Sequence, residues 1–149
     1  MARDMGCPGI ELDIHRCGTG EVVVFHDDDL SRLAGSPAKI RETPLAELKR
    51  FDIGSWKDAK FSGERIPTLD ELFAAFGRSV YYDVEIKQRT RDRTGIEKEL
   101  SDLIDRHSLS DRVCVSSFNP FPLVYFKEIR PDVPTGIIWT DSPELPWSL

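Results

Sequence analysis

The stretch Gly9-Ile10-Glu11-Leu12-Asp13-Ile14-His15 constrains the chain most, because it alternates strictly. Ile10, Leu12 and Ile14 share one face, and Glu11, Asp13 and His15 share the other. A period of two belongs to a β-strand. It sets Glu11 and Asp13 on one side, about 6–7 Å apart at Cα. Two carboxylates on a rigid strand can converge on a hard cation, which prefers oxygen ligands. A second run, Val22-Val23-Val24-Phe25-His26-Asp27, is continuously apolar and then ends in His26. It reads as a strand buried on both faces, and it delivers the side chain best suited to moving a proton near neutral pH. The alternative at this point is plain: Glu11 and Asp13 as the wet face of an amphipathic strand, His26-Asp27 as a turn.

Further along, Thr43-Pro44 reads as the start of a short helix with Thr43 as its cap. Thr68 to Glu71 is a capping box that opens a helix ending near Gly77. Val80 to Lys87 alternates again and lines Asp83, Glu85 and Lys87 along one face, a triad that needs partners if buried. Thr94 to Glu97 repeats the capping-box pattern ahead of Ile96, Leu100, Leu103 and Ile104. Val113 to Phe118 is a strand, Asn119-Pro120 caps the next helix, and Pro134 to Trp139 reads as a last strand. From Val80 onward the order strand, helix, strand, helix, strand argues an α/β protein with parallel strands and right-handed crossovers. Polar residues gather at the C-terminal ends of strands, as His26-Asp27, Glu85-Lys87 and Ser116-Ser117. In a (β/α) barrel that end carries the chemistry.

Composition limits the partners. The 149 residues carry a net charge of −6, and 40% are hydrophobic and 31% charged. An acidic chain has little nonspecific affinity for nucleic acid, and no apolar run reaches membrane-spanning length. Met1 to Met5 contain no signal-peptide core. Cys7, Cys17 and Cys114 are an odd set without framework spacing, which suits a reducing, cytoplasmic compartment. Cys7, His15 and Cys17 make only a weak zinc pattern. Asp27-Asp28-Asp29 offers a second candidate metal site beside the simpler reading of a solvated loop. Arg89, Arg91 and Arg93 follow Lys87 as an exposed basic loop that could hold an anion.

Taken together, Gly9–His15, Val23–Asp27, Gly54-Ser55-Trp56, Ile66–Leu69, Val84–Lys87 and Ser116–Phe118 resemble the glycerophosphodiester phosphodiesterases, in order and spacing, from Gly6 to about Trp139. The resemblance implies a TIM barrel of the phosphodiesterase type, here partial and covering about strands 2 to 6, in a single incomplete domain over 1–149. It implies that Glu11, Asp13 and Glu85 bind a divalent metal, Ca²⁺ or Mg²⁺. Lys87 matches the lysine near the substrate phosphate, and His26 the second of two catalytic histidines. The implied reaction is hydrolysis of a small-molecule glycerophosphodiester to glycerol 3-phosphate and an alcohol. His15 occupies a variable position, and Thr19 stands where the family usually has an aspartate.

The family's opening His-Arg-Gly and Glu-Asn-Thr motifs are absent, and with them a histidine, an arginine and a metal-binding glutamate. A typical barrel has about 250 residues. Five candidate barrel strands begin at Gly9, Val22, Val80, Val113 and Thr135. An open barrel exposes edges and apolar faces, so weak folding or self-association is expected, with low activity of the chain by itself. The alternative function is a non-catalytic remnant that binds a cation and a phosphate ester or a partner chain.

Overall fold

The computed structural model describes residues 6–140. The chain runs through β1 (Gly9–Arg16), β2 (Val22–Val24), α1 (Ser31–Ala34), α2 (Leu45–Leu48), α3 (Leu69–Phe76), β3 (Tyr81–Ile86), α4 (Ile96–Arg106), β4 (Val113–Ser117), α5 (Pro120–Ile129) and β5 (Thr135–Ile137). The strands form one sheet in the order β2-β1-β3-β4-β5. The pairs β1–β3, β3–β4 and β4–β5 are parallel, and a helix covers each crossover. This is the α/β arrangement expected from the alternation of strands and helices.

β2 lies before that parallel run and pairs antiparallel with β1, Ile14 opposite Val24 and Arg16 opposite Val22. The Gly18-Thr19-Gly20 turn is too short for anything but a hairpin, because a parallel return needs a crossover of a dozen residues or more. The run beginning at Val22 is therefore a hairpin return, and the parallel strands number four among the described residues. The run is buried on both faces, as its continuous apolar sequence predicts: Val22 and Val24 pack in the main core, and Val23 and Phe25 join Cys17, Leu30, Ile40, Leu48 and Ile66 in a second core beneath the excursion that follows.

The main core lies on one face of the sheet. Leu12, Ile14, Tyr82, Val84, Ile86, Val113 and Val115 point to the helices and meet Leu69, Phe73, Leu100, Ile104 and Phe126. Each such side chain contributes about 1.5–3 kcal/mol on burial. The opposite face carries the charged members of each alternating strand.

Helix ends follow the sequence in two cases and depart from it in two. Thr68 and Glu71 form the full capping box, and Asn119 Oδ1 accepts the Phe121 N–H at 3.1 Å. At α2 the cap is not Thr43, whose hydroxyl donates to Lys39 O at 2.8 Å; Thr19 Oγ1 accepts the Leu45 N–H at 3.1 Å instead. At α4 the N-cap is Gly95, and Thr94 gives its hydroxyl to Gln88 Oε1 at 2.8 Å. At α2 a threonine 26 residues before Leu45 takes the cap, and at α4 Thr94 is spent on Gln88 and no side chain caps. The Gly54-Ser55-Trp56 motif also has a steric basis: a Cβ on Gly54 would lie 2.0 Å from Phe61 O.

Arg130, only 8% exposed, ties the end of α5 to α4. Its guanidinium donates to Asp132 Oδ1 and Oδ2 at 3.0 and 2.8 Å, to Asp105 Oδ1 at 2.8 Å and to Ser110 Oγ at 2.7 Å. Arg130 holds Asp132 down at about 2. A depressed carboxylate stabilises the fold above its unfolded value and loses that contribution as pH falls through the folded value. Acid unfolding between about pH 4 and 2 is therefore expected to be shallower in Asp132→Asn. Arg130→Ala is expected to lower the urea midpoint at neutral pH, because it removes the donors that join Asp105, Ser110 and Asp132.

Candidate metal centre

The parallel register assembles the centre. Glu11 lies beside Asp83 and Asp13 beside Glu85 across β1–β3, and Glu85 lies beside Ser116 across β3–β4. Paired residues in a parallel sheet share a face, so these polar side chains stand on the face turned away from the helices. One carboxylate oxygen from each of Glu11, Asp13 and Glu85 falls within 4.8 Å of the others. Among the described residues this is the one group of histidine, cysteine and acidic side chains spaced to hold a metal ion.

The charge balance at this cluster is unfavourable to the bare carboxylates. Burial raises Glu11, and the charges of Asp13, Glu85 and Asp83 raise it further. Burial also raises Glu85, against the pull of Lys87. The Lys87 ammonium lies 2.9 Å from Glu85 Oε1 and 3.2 Å from Asp13 Oδ1. Burial works to lower Lys87, but its two carboxylate partners outweigh that and hold it above its ordinary value. One ammonium cannot neutralise three acids, and an all-oxygen donor set of this kind fits a hard divalent cation. Asp83 adds a further negative charge, partly satisfied by the Ser116 hydroxyl at 2.6 Å.

His26 arrives from the hairpin. Phe25 N–H donates to Asp13 O at 2.9 Å, so His26 directly follows a residue paired with the metal-facing strand. Its side chain is 66% exposed, and its Nδ1 lies 2.7 Å from Asp27 Oδ1. An ionised carboxylate only accepts, so Nδ1 carries the proton and Nε2 is left for exchange. Arg32 grips Asp27 at 2.7 and 3.2 Å and holds its carboxyl below the usual range, with His26 adding to the effect. Asp27 as an orienting group is the residue that sequence reasoning misses; its adjacency to a histidine at a strand end is the available signal. Beneath, His15 is fully buried, and burial pushes it down to about 4, so it is neutral at pH 7.

Other sequence candidates do not converge. Asp27, Asp28 and Asp29 turn to different partners: Asp27 to His26 and Arg32, Asp28 to Arg89 at 2.7 Å, and Asp29 to the Ser31 N–H at 2.8 Å. They form no second metal site because each carboxylate already serves a cation or a backbone donor. Cys7 is exposed and bonded to Gly9 O, whereas Cys17 is buried and bonded to Glu21, so the Cys7, His15, Cys17 zinc set does not form. Of the three arginines after Lys87, Arg89 faces the centre through Asp28. Arg91 stacks on Phe121 and Arg93 pairs with Glu128, both on the α5 side. Beside the cluster a cavity of about 240 Å³ is lined by Asp28, Glu85, Lys87, Arg89, Phe118 and Asn119, among others. Asn119 Nδ2 wires its rim by donating to Gln88 O and Thr90 O.

Comparison with known proteins gives the family and the fold. The model of the glycerophosphoryl diester phosphodiesterase family matches residues 1–147. A glycerophosphodiester phosphodiesterase of Caldanaerobacter subterraneus is 34% identical over 149 residues, covering 99% of this chain and 61% of the relative. One from Bacillus subtilis is 30% identical, covering 90% and 50%. The structure of an Oleispira antarctica phosphodiesterase in complex with the product sn-glycerol-3-phosphate superposes with a TM-score of 0.81 at 34% identity, covering 91% of this chain and 56% of that one. A Galdieria sulphuraria structure superposes equally well, TM-score 0.81 at 28% identity. The chain spans about half the length of the relatives it matches, and its sheet is a partial barrel.

Crowded acids have a thermodynamic signature. A carboxyl with a raised folded pKa stabilises the protein below its unfolded value and loses that contribution as pH rises through the folded value. In metal-free protein at pH 7, Glu11→Gln is therefore expected to stabilise by about a few tenths of a kcal/mol, discounted for its exposure. A saturating divalent cation should reverse the order. Urea unfolding with chelator and with Ca²⁺ checks both.

Proposed function

The chain belongs to the glycerophosphoryl diester phosphodiesterase family, and from that premise we propose that it supplies the cation-binding and proton-transferring part of a hydrolase acting on glycerophosphodiesters. The observation that carries this reading is the convergence of Glu11, Asp13 and Glu85 beside Lys87, with His26 next to a residue bonded to Asp13. Glu11, Asp13 and Glu85 would hold Ca²⁺ or Mg²⁺, which when bound polarises the phosphoryl oxygen. Lys87 faces the phosphate with a fixed positive charge and limits the repulsion between the diester and the acids. His26 exchanges a proton at Nε2 with the leaving alcohol or the attacking group, while Asp27 keeps Nδ1 protonated. The products would be glycerol 3-phosphate and an alcohol, which puts the reaction in the breakdown of lipid-derived diesters.

The three cysteines are free thiols, which supports a cytoplasmic setting. Among the described residues no helix is long and apolar enough to cross a membrane. The exposed side chains near the β5 edge, Ile137 at 59% and Trp139 at 76%, support self-association of the isolated chain. The second reading is a non-catalytic remnant that keeps the cation pocket formed by Glu11, Asp13 and Glu85.

Two measurements decide between them. Grafted in place of the matching half of a full-length relative, residues 6–140 are expected to support release of glycerol 3-phosphate from glycerophosphocholine with Ca²⁺ or Mg²⁺. His26→Ala in that chimaera should cut turnover by about 10²-fold or more, and Lys87→Met should raise KM. A folded chimaera that binds the cation yet is indifferent to His26→Ala would establish the remnant reading.

A further inference from the structure

Behind the candidate centre, sharing Lys87 and Gln88 as a wall, lies a second cavity of about 220 Å³. Its lining includes Arg16, Arg41, Thr94 and Ile96, and contains no acidic residue. Arg16 leaves the end of β1 on the helix-facing side and reaches this cavity. Its Nε is fully enclosed and without a hydrogen-bond partner, and among the described residues no ion pair engages its guanidinium. Glu21, which feels the Arg16 charge, gives its own carboxylate to Thr19 and Cys17. Arg41 donates through Nη2 to Lys87 O at 2.8 Å and stands 3.9 Å from Asp28, which leaves further donors. The backbone makes room for the guanidinium: a Cβ on Gly20 would lie 2.8 Å from Arg16 Nη2, and one on Gly95 would lie 3.8 Å from Nε.

A guanidinium with an enclosed, unmatched donor costs stability unless something accepts from it. Arg16 is such a group, and with the Arg41 guanidinium beside it on one small acid-free cavity the pair calls for an anion. Guanidinium forks match phosphate and carboxylate alike. Two guanidinium charges on an acid-free lining match the charge of a phosphate better than that of a single carboxylate. We propose that Arg16 and Arg41 bind a phosphate group, free or in a monoester, at a site distinct from the carboxylate cluster.

The test is an amide-resolved NMR titration of the full chain with inorganic phosphate, metal-free and at constant ionic strength. A parallel titration with glycerol 3-phosphate separates the free ion from the ester. Saturating shifts are expected at Gly18, Gly95 and Ile96. Arg16→Gln should weaken binding at least tenfold, and Glu85→Gln should leave it unchanged. If Arg16→Gln does not fold, Arg41→Gln carries the same expectation. Shifts confined to Asp13 and Glu85, no saturation, or equal affinity in the arginine variants would overturn the proposal.

Discussion

The pairing of Asp13 with Glu85 across β1 and β3 is the constraint on which the rest depends. It brings two carboxylates to neighbouring positions on one face, and the two-residue period then adds Glu11 below and Lys87 above. A slip of β1 by one residue would turn Glu11 and Asp13 toward the helices and leave Glu85 and Lys87 behind. The apolar members of the same strands prevent that slip. Leu12, Ile14, Val84 and Ile86 are almost completely buried, and exchanging them for charges would be prohibitive. The core thus holds the centre in register from the other face of the sheet.

The centre itself is a compromise between attraction and crowding. Lys87 sits between Glu85 and Asp13, and the net charge of the cluster stays negative. Such an arrangement is poor as a structural ion pair and apt as a cation site. Its electrostatic strain is carried by the sheet, whose hydrogen bonds and apolar face fix where the acids stand. After the hairpin, Arg32 through Asp27 does the corresponding work for His26.

Much of this is legible in the order of the residues. Alternation in Gly9–His15 and Val80–Lys87 identifies both strands and the shared face of Glu11 with Asp13 and of Glu85 with Lys87. Thr68 and Asn119 show their caps because those bonds are local. What is not legible depends on distant partners. Thr43 loses its capping role to Thr19, 26 residues before Leu45, and Thr94 gives its hydroxyl to Gln88 while Gly95 takes the cap position. The direction of β2 is written in a three-residue turn, but its apolar run suggests a central strand. Asp28 and Asp29 resemble a metal site in composition and differ from one because each has a partner elsewhere.

The second core gives the polar excursion after His26 a mechanical character. Leu30, Ile40, Leu48 and Ile66 are completely shielded from solvent and pack on Val23 and Phe25, the residues that lead to His26. Thr19 in the hairpin turn clasps the start of α2, which closes the excursion onto the strand pair from the far side. This segment is a buttress rather than a flap. A ligand entering the centre meets a fixed wall on that side, so any yielding needed for its passage falls to the opposite bank, the loop after Lys87 and the turn at Phe118.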